Sequence, residues 1–412
     1  MPWRELSVVK QREEFVRLAS TKGANMAALC RRFGISRSKG YKWLNRYKKL
    51  GLEGLKDQSR RPHHSPDRTA AAIESAVLRL REESNNVWGG RKISHILLRE
   101  EHKKVAPSTV TGILRRHDKL GTSPEAHHGS WQRFEREHPN ELWQMDFKGH
   151  FPMLAERCHP LTVLDDHSRY CIGLTACLNE RDATVRTSLT NAFRRYGLPY
   201  SMLMDNGPPW GDPMGGPHTI LSVWLMRLGI RVLHGRVRHP QTQGKDERFH
   251  RTLFAEAING RSFRDLQDCQ MGFDAWRTTY NHRRPHQGIG MQTPDTRYQP
   301  SPRPFPEPLP VIEYADGDLI RKVDVLGCTA FKGHPIRVGK AFRNLPIALR
   351  ASTQDGLFEV RFCSHQIGTL DLRNLKRNAW GFVDIANPKR RPKPSDVHNS
   401  PGATPPSQKL NG

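Results

Sequence analysis

Residues 142–177 read LWQMDFKGHFPMLAERCHPLTVLDDHSRYCIGLTAC, and their pattern indicates the fold of the central part of the chain. Apolar or alternating runs bounded by turn residues are typical of strands, and the stretch holds three of them. Beyond it, helical and strand-like patterns alternate, which predicts a mixed α/β sheet. The predicted strands are Leu142–Phe151, Leu161–Asp165, Tyr170–Cys177, Tyr200–Asp205 and Ile230–His234, and the predicted helices are Thr184–Tyr196, Thr219–Leu228, Gln243–Ile258 and Leu266–Tyr280.

The first 53 residues predict a helix-turn-helix domain. Three helical patterns occupy residues 6–47, and Ser36 is the expected N-cap of the third, after a turn at Phe33-Gly34-Ile35. The third helix presents a polar, basic face that suits the major groove of DNA, although a solvated helical hairpin is an alternative. That face consists of Arg37, Ser38, Lys39, Lys42 and Arg46.

Residues 54–68 are polar and lack periodicity, so we expect a linker in which Arg60 and Arg61 follow a phosphate backbone. Residues 69–122 predict a second helix-turn-helix-like domain, with helices at Ala70–Glu83, Arg91–Glu101 and Thr109–Leu120. The α/β core then extends over residues 123–298. The chain is therefore expected to be a multidomain α/β protein.

Residues 299–310 contain six prolines in twelve positions, which predicts an extended spacer outside any core. Short strand-like runs over residues 311–380 have the spacing of a small β-barrel. The remaining residues, 381–412, are rich in Pro, Ser, Asn and Lys and are expected to be disordered.

The net charge of +25 favours a polyanionic partner, and +14 of it lies in residues 1–125. The core, 126–298, carries only +4. No apolar run is long enough for a membrane span and the start lacks a signal-peptide core, so we expect no membrane partner. Seven cysteines without a Cys-x-x-Cys pair indicate reduced thiols in a cytosolic protein.

Three acidic residues stand where folding alone disfavours them. Asp146 lies within a predicted strand, Asp205 ends another, and Glu247 falls in the first turns of a predicted helix. Three converging carboxylates would raise one another's pKa unless cations neutralise them, and hard oxygen ligands favour Mg²⁺ or Mn²⁺, as a pair of ions. Each acid has an alternative role, as a turn residue, an ion-pair partner or a helix N-terminal anion.

Five motifs in this order resemble the integrase-core insertion-sequence transposases of bacteria, relatives of retroviral integrases. They are WQMDFK (143–148), TVLDDHSRY (162–170), DNGPP (205–209), HPQTQGKDERFHRTL (239–253) and YNHRRPHQ (280–287). The resemblance covers nearly the whole chain. It implies a ribonuclease H-like catalytic core, an Asp-Asp-Glu metal triad, double-stranded DNA as partner, and a homo-oligomer on that DNA.

Carried over to this sequence, the triad falls on Asp146, Asp205 and Glu247, as catalytic residues and metal ligands. Glu247 is preferred to Asp246 because the family's acid directly precedes Arg-Phe-His. The 41 residues between Asp205 and Glu247 exceed the commonest spacing of related families, and the loop Pro208–Pro217 accounts for the excess. We interpret Asp165 and Asp166 as turn-capping residues.

Further cations surround these motifs. We expect Lys245, Arg248 and Arg251 to hold a DNA backbone, with ordinary surface charge as the alternative. A second polar cluster either touches DNA or braces the catalytic helix; it comprises Asn281, Arg283, Arg284 and His286.

The resemblance implies a transposase that binds the terminal inverted repeats of its element, hydrolyses a phosphodiester at each end and joins the freed 3′-hydroxyl to target DNA. We expect it in the bacterial cytoplasm, at the nucleoid. One alternative is a non-catalytic DNA-binding repressor or inactive transposase remnant. Another is a simple ribonuclease H-like nuclease, which would need neither paired helix-turn-helix units nor a terminal β domain.

Overall fold

The computed structural model describes residues 7–58, 69–120, 135–205, 207, 209–211, 218–235, 244–375, 377–378 and 381–385. Arg60, Arg61 and most of the loop Pro208–Pro217 lie outside these ranges. The chain forms two compact units, residues 1–70 and 71–412. Within the described ranges, no helix is both long enough and apolar enough to cross a membrane.

The first unit contains the predicted three helices, α1 (Val8–Ala19), α2 (Met26–Arg32) and α3 (Arg37–Leu50). The Ser36 hydroxyl accepts a hydrogen bond from the Lys39 N–H, as an N-cap does. The prediction of a helix-turn-helix is confirmed, but its boundary at residue 53 is wrong. A 3₁₀ turn at Gly51–Leu55 follows α3, and Leu55 is fully buried in the core of this unit.

The second unit begins with α4 (Ala71–Glu83), α5 (Gly90–Glu101) and α6 (Pro107–Arg116), which share an apolar core. These helices also bind the α/β core. Arg283 donates to Glu100 and Glu83, and the Asn85 amide donates to the carbonyls of Ala255 and Asn259. Helices α4–α6 therefore pack directly on the α/β core.

The central sheet has the strand order β4-β3-β1-β5-β6, and the short strand β2 pairs antiparallel with the beginning of β3. Strand β1 pairs antiparallel with β3 and parallel with β5, so the predicted mixed sheet is confirmed. The strands are β1 (Trp143–Phe147), β2 (Phe151–Pro152), β3 (Arg157–Asp165), β4 (Cys171–Cys177), β5 (Ser201–Met204) and β6 (Arg231–His234).

Helices cover both faces of this sheet. Trp143, Met145 and Phe147 of β1 pack in one cluster with α7 (Asp182–Tyr196) and α8 (Ile220–Arg227). Side chains alternate along a strand, so Gln144 and Asp146 point to the opposite face. That face packs against the remaining helices of the core, α9 (Gly244–Leu253), which continues as a π-helical turn at Phe254–Ile258, and α10 (Leu266–His282).

The proline-rich segment is not a free spacer, so that prediction is wrong. The Ser301 N–H donates to the Tyr196 carbonyl, and the Leu198 N–H donates to the Arg303 carbonyl. Phe305 and Leu309 pack against the core, and the Arg227 guanidinium donates to the carbonyl of Pro310. Residues 301–310 therefore form a strap along the ends of α7 and α8.

We expect Gly197→Ala to loosen this strap. Gly197 has a φ of +76°, and a Cβ there would lie 2.7 Å from the carbonyl oxygens of Ser301 and Arg303. Backbone strain of this kind costs about 1–3 kcal/mol, so urea unfolding should show a loss of that order. Gly112→Ala in α6 is the control, because a Cβ there meets nothing within 4 Å. Equal stability of the two variants would contradict the strap.

The C-terminal residues form two packed sheets, and the described part of the chain does not close into the predicted barrel. One sheet has the order β12-β11-β10-β7 and the other β13-β9-β8. Val383 of β13 pairs with Ile336, so the predicted disordered tail begins too early at 381. The strands are β7 (Leu319–Lys322), β8 (Cys328–Phe331), β9 (His334–Arg337), β10 (Pro346–Ala351), β11 (Leu357–Phe362), β12 (His365–Asp371) and β13 (Val383–Asp384).

Candidate active site

Asp146 and Asp205 lie on neighbouring parallel strands of the central sheet. Asp146 is in β1, and Asp205 directly follows β5, with which β1 pairs. The pKa of Asp146 is raised to about 6, mainly by burial and also by the negative charges of Asp205 and Glu180, while a hydrogen bond from the Phe147 N–H acts in the opposite direction. The folded chain therefore holds two carboxylates close enough for their negative charges to oppose each other.

Helix α9 contributes two adjacent acids with different surroundings. Glu247 is exposed, whereas Asp246 is only 5% exposed. Burial raises the pKa of Asp246 well above its usual value, and the charges of Asp146 and Asp166 add to that effect. Asp246 is thus the acid of α9 that faces Asp146 in this structure.

The sequence contained a signal for this placement. Asp246, Phe249 and Leu253 recur at helical spacing, and all three are buried. The choice of Glu247 over Asp246 depends on the family resemblance, not on this burial pattern. The described residues contain no group of three or more His, Cys, Asp or Glu side chains that could hold a metal ion, so Asp146, Asp205 and Glu247 do not form a preassembled cage.

Asp165 and Asp166 have separate roles at the end of β3. Asp165 accepts hydrogen bonds from the Ser168 N–H and hydroxyl and from the Asn140 N–H, which agrees with the turn-capping interpretation. Asp166 instead accepts from Gln144 and pairs with Lys245 of α9 at 2.5 Å. Asp166 therefore connects β3, β1 and α9.

Several predicted DNA contacts are committed to partners within the protein. Lys245 is paired with Asp166, and Arg283 binds Glu83 and Glu100. Arg284 is 7% exposed and binds the buried Glu256. The predicted phosphate contact of Arg284 is therefore wrong, because its side chain is not at the surface. Arg283 and Arg284 thus hold parts of the protein together, which agrees with the alternative that this cluster has a bracing role rather than a DNA-binding one.

Other predicted contacts lie at the surface. Arg248 and Arg251 of α9 are exposed. In the first unit, Arg37, Ser38, Lys39 and Lys42 are exposed along α3, and Arg46 is partly exposed with its guanidinium 5.2 Å from the centre of the Trp43 ring. The predicted basic face of α3 therefore exists.

The donor chemistry of Asp146 and Asp205 fits a hard divalent cation. Both offer carboxylate oxygens, the ligands that Mg²⁺ and Mn²⁺ prefer. The raised pKa of Asp146 shows that the folded chain disfavours its ionised form. A bound cation would offset that cost.

We expect Asp146→Asn to stabilise the metal-free protein at neutral pH. The folded chain holds the Asp146 proton up to a pH of about 6, whereas the unfolded chain loses it at about 4. Stability is therefore lost as pH rises between these values, and the substitution should recover about 1–3 kcal/mol at pH 7 and nothing near pH 4. Urea unfolding in EDTA measures the difference, with the exposed Asp316→Asn as control.

Sequence comparisons identify the same regions. Residues 136–240 and 228–294 match two Integrase core domain families. Residues 318–378 match the C-terminal domain of the IS481 family transposases. Residues 11–63 match a helix-turn-helix domain, and residues 39–114 match a homeodomain-like domain.

Curated relatives include two proteins of insertion elements. An uncharacterized 39.2 kDa protein of IS476 from Xanthomonas euvesicatoria is 25% identical over 66% of this chain and 78% of its own length. An uncharacterized 31.7 kDa protein of IS407 from Burkholderia multivorans is 26% identical over 38% of this chain. The chain spans 54% of the length of the IS407 protein.

Similar solved structures include retroviral integrases. A chain of the simian T-cell lymphotropic virus intasome with the PP2A regulatory subunit B56 gamma is 16% identical, with a TM-score of 0.36 over 74% of this chain and 98% of its own. The HTLV-2 integrase catalytic core domain in complex with magnesium is 14% identical, with a TM-score of 0.29 over 40% of this chain and 99% of its own.

The mixed sheet and the family matches define an integrase-core protein with N-terminal helix-turn-helix domains. The chain also matches insertion-element proteins and the C-terminal domain of the IS481 family transposases, which points, among integrase-core proteins, to the transposases of insertion elements. Together these matches support an insertion-sequence transposase of the integrase family.

Proposed function

We propose that the protein is a DNA transposase that binds the terminal inverted repeats of an insertion sequence, hydrolyses a phosphodiester at each end and transfers the freed strand to target DNA. The observation that carries this proposal is the pair Asp146 and Asp205, set on adjacent strands of an integrase core, with the pKa of Asp146 raised by burial and by negative charge. Such a pair is costly in a purely structural role.

Asp146, Asp205 and Glu247 would hold two Mg²⁺ or Mn²⁺ ions. The ions would supply activation of a water or 3′-hydroxyl and stabilisation of the leaving oxygen. Asp146 and Asp205 present their carboxylates from neighbouring strands. Glu247 adds its carboxylate from the first turn of α9, where it is exposed toward solvent and so accessible to DNA.

The basic surfaces of the chain suit DNA recognition. Helix α3 would read the terminal repeat, and Arg60 and Arg61 would follow the backbone beyond it. Arg248 and Arg251 are exposed on the helix that carries Glu247, so they would hold the strand beside the reacting phosphate. Two ends must be paired, which favours a homo-oligomer, and this work would take place at the nucleoid in the bacterial cytoplasm.

A strand-transfer assay tests the proposal. A labelled duplex carrying the DNA that flanks the gene is incubated with the full chain, Mg²⁺ and a plasmid. We expect labelled DNA joined covalently to the plasmid. Binding without reaction would indicate the repressor or the inactive remnant. Cleavage without joining would indicate a nuclease.

Lys42→Ala should weaken end binding and flatten its salt dependence. Each phosphate contact contributes a slope of about −0.9 to the plot of log binding constant against log salt concentration. If Lys42 contacts a phosphate, its loss should reduce the slope by about one such step. Fluorescence anisotropy at several salt concentrations measures this, with the exposed Lys10→Ala of α1 as control. An unchanged slope would remove Lys42 from the interface.

A further inference from the structure

Two side chains of α9 bind the central sheet, one on each side of Glu247. Lys245 precedes Glu247 by two residues, and its ammonium group pairs with Asp166 at the end of β3. His250 follows Glu247 by three residues, and its Nε2 lies 2.9 Å from the Thr162 hydroxyl in β3. The segment of α9 that carries Glu247 is therefore attached to one strand at two points.

The acceptor of the first attachment is the buried carboxylate of Asp166. Asp166 is 2% exposed, and its Oδ1 accepts from Lys245 and from the Gln144 side chain, while its Oδ2 accepts from the Arg136 N–H. Gln144 stands two residues before Asp146 on the same face of β1. The Asp166 carboxylate thus joins the helix of Glu247 to the strand of Asp146.

The second attachment also reaches Asp146. The Thr162 hydroxyl donates its one proton to the Asp146 carbonyl at 2.9 Å, so it must accept from a protonated Nε2 of His250. Thr162 is the direct neighbour of Asp146 across the antiparallel pair of β1 and β3. His250 therefore fixes the position of α9 along the strand direction relative to Asp146.

We propose that Lys245 and His250 are positioning residues, which hold α9 at one register and distance from β1, so that the first turn of α9, with Asp246 and Glu247, stays beside the strand of Asp146. Of the two attachments, the ion pair of Lys245 with Asp166 is the one that charge-neutral variants can break and rebuild. This inference rests on the proposed function. It assigns Lys245 to the protein interior, in place of the DNA contact expected from the sequence.

The buried pair suits this role better than it suits a phosphate contact. The Lys245 side chain is 19% exposed and that of Asp166 is 2% exposed. Moving Lys245 to a phosphate would leave the Asp166 carboxylate buried with its charge unpaired, which is strongly unfavourable. A buried ion pair also demands a defined geometry, so it can set the register of the helix that bears it.

The test is a double-mutant cycle with Lys245→Gln, Asp166→Asn and the double variant, all in the full chain. Each single change leaves one buried charge without its partner, whereas the double variant can form a neutral hydrogen bond between the same positions. We expect each single variant to lower joining by about tenfold to a hundredfold, the effect typical of residues that orient metal ligands. The double variant should recover to within a few-fold of the wild type.

Two further measurements separate positioning from stability and from DNA contact. Hydrogen exchange of the amides in Gly244–Leu253, without metal or DNA, should be faster in the single variants and near normal in the double variant. End binding by anisotropy should be unchanged in all three variants, with the same salt slope. Lys103→Gln, which breaks an ion pair with Glu101 on α5, is the control and should change none of these readouts.

Thr162→Val tests the second attachment, because it removes the hydroxyl with little change in shape. We expect faster exchange in α9 and reduced joining. Weaker end binding with a smaller salt slope in Lys245→Gln, without rescue in the double variant, would overturn the inference in favour of a phosphate contact. A wild-type chain that binds ends but joins nothing would instead refute the proposed function, and the exchange data would still decide whether the pair positions α9.

Discussion

Glu247→Gln is expected to abolish Mg²⁺-dependent strand transfer, by about a thousandfold or more, while end binding stays intact. A glutamine keeps the size and polarity of the side chain but removes the negative charge that a metal ligand supplies. Loss of one member of a catalytic set of this kind costs several kcal/mol of transition-state stabilisation. Joining of a labelled end to plasmid measures the reaction, and anisotropy measures binding.

The neighbouring acid supplies the decisive comparison. Asp246 is buried and faces Asp146, whereas Glu247 is exposed in the metal-free chain. If Glu247 is the ligand, Asp246→Asn should retain most joining activity. The opposite result, with Asp246→Asn inactive and Glu247→Gln active, would move the third carboxylate to Asp246. Glu313→Gln, an exposed change after the proline-rich strap, is the matched control and should leave joining unchanged.

Arg284→Met is expected to destabilise residues 71–412 by about 3–5 kcal/mol, because it leaves a buried carboxylate without its main partner. The Arg284 Nε donates to both oxygens of Glu256, at 2.9 and 3.1 Å, and both side chains are less than a tenth exposed. The Trp276 indole donates to the same carboxylate at 3.2 Å, and Lys92 of α5 lies 3.9 Å from it. Urea unfolding monitored by tryptophan fluorescence measures the loss.

Paired variants show whether the lost stability arises from this charge. Replacing both residues, as in Arg284→Met with Glu256→Leu, should recover much of the loss, since apolar side chains often replace a buried ion pair with little net cost. Arg264→Met breaks the exposed pair with Asp268 and should cost less than about 1 kcal/mol. A small effect of Arg284→Met alone would mean that water reaches Glu256.

The elements that the sequence predicts well are those with a local signal. The N-cap at Ser36 and the alternation of apolar and polar residues in β1 depend on residues close together in the chain. The partners of Arg283 could not be predicted in this way. Glu83 and Glu100 lie about 200 residues away in the chain, and they meet Arg283 only because α4 and α5 pack on the core.

The same distinction applies to the candidate site. Asp146 and Asp205 stand out because aspartate is unfavourable in or directly after a buried strand unless its charge has a partner. The sequence gives no local sign that Lys245 turns inward, because that depends on the long-range position of Asp166. For the proline-rich strap, composition indicated extended backbone, but only the folded chain reveals the surface of α7 and α8 that it contacts.

The strap limits how far the number of residues between α7 and the C-terminal sheets can vary. Its first residue, Ser301, is hydrogen-bonded to Tyr196 and its last residue, Pro310, to Arg227, so both ends are anchored on the core. Extended proline-rich backbone advances about 3.1 Å per residue and stretches little. Adding or removing one residue would therefore displace the C-terminal sheets by a whole step against α8, whereas a slack tether would absorb the change. Residues 301–310 thus set a fixed distance between the central sheet and the C-terminal sheets.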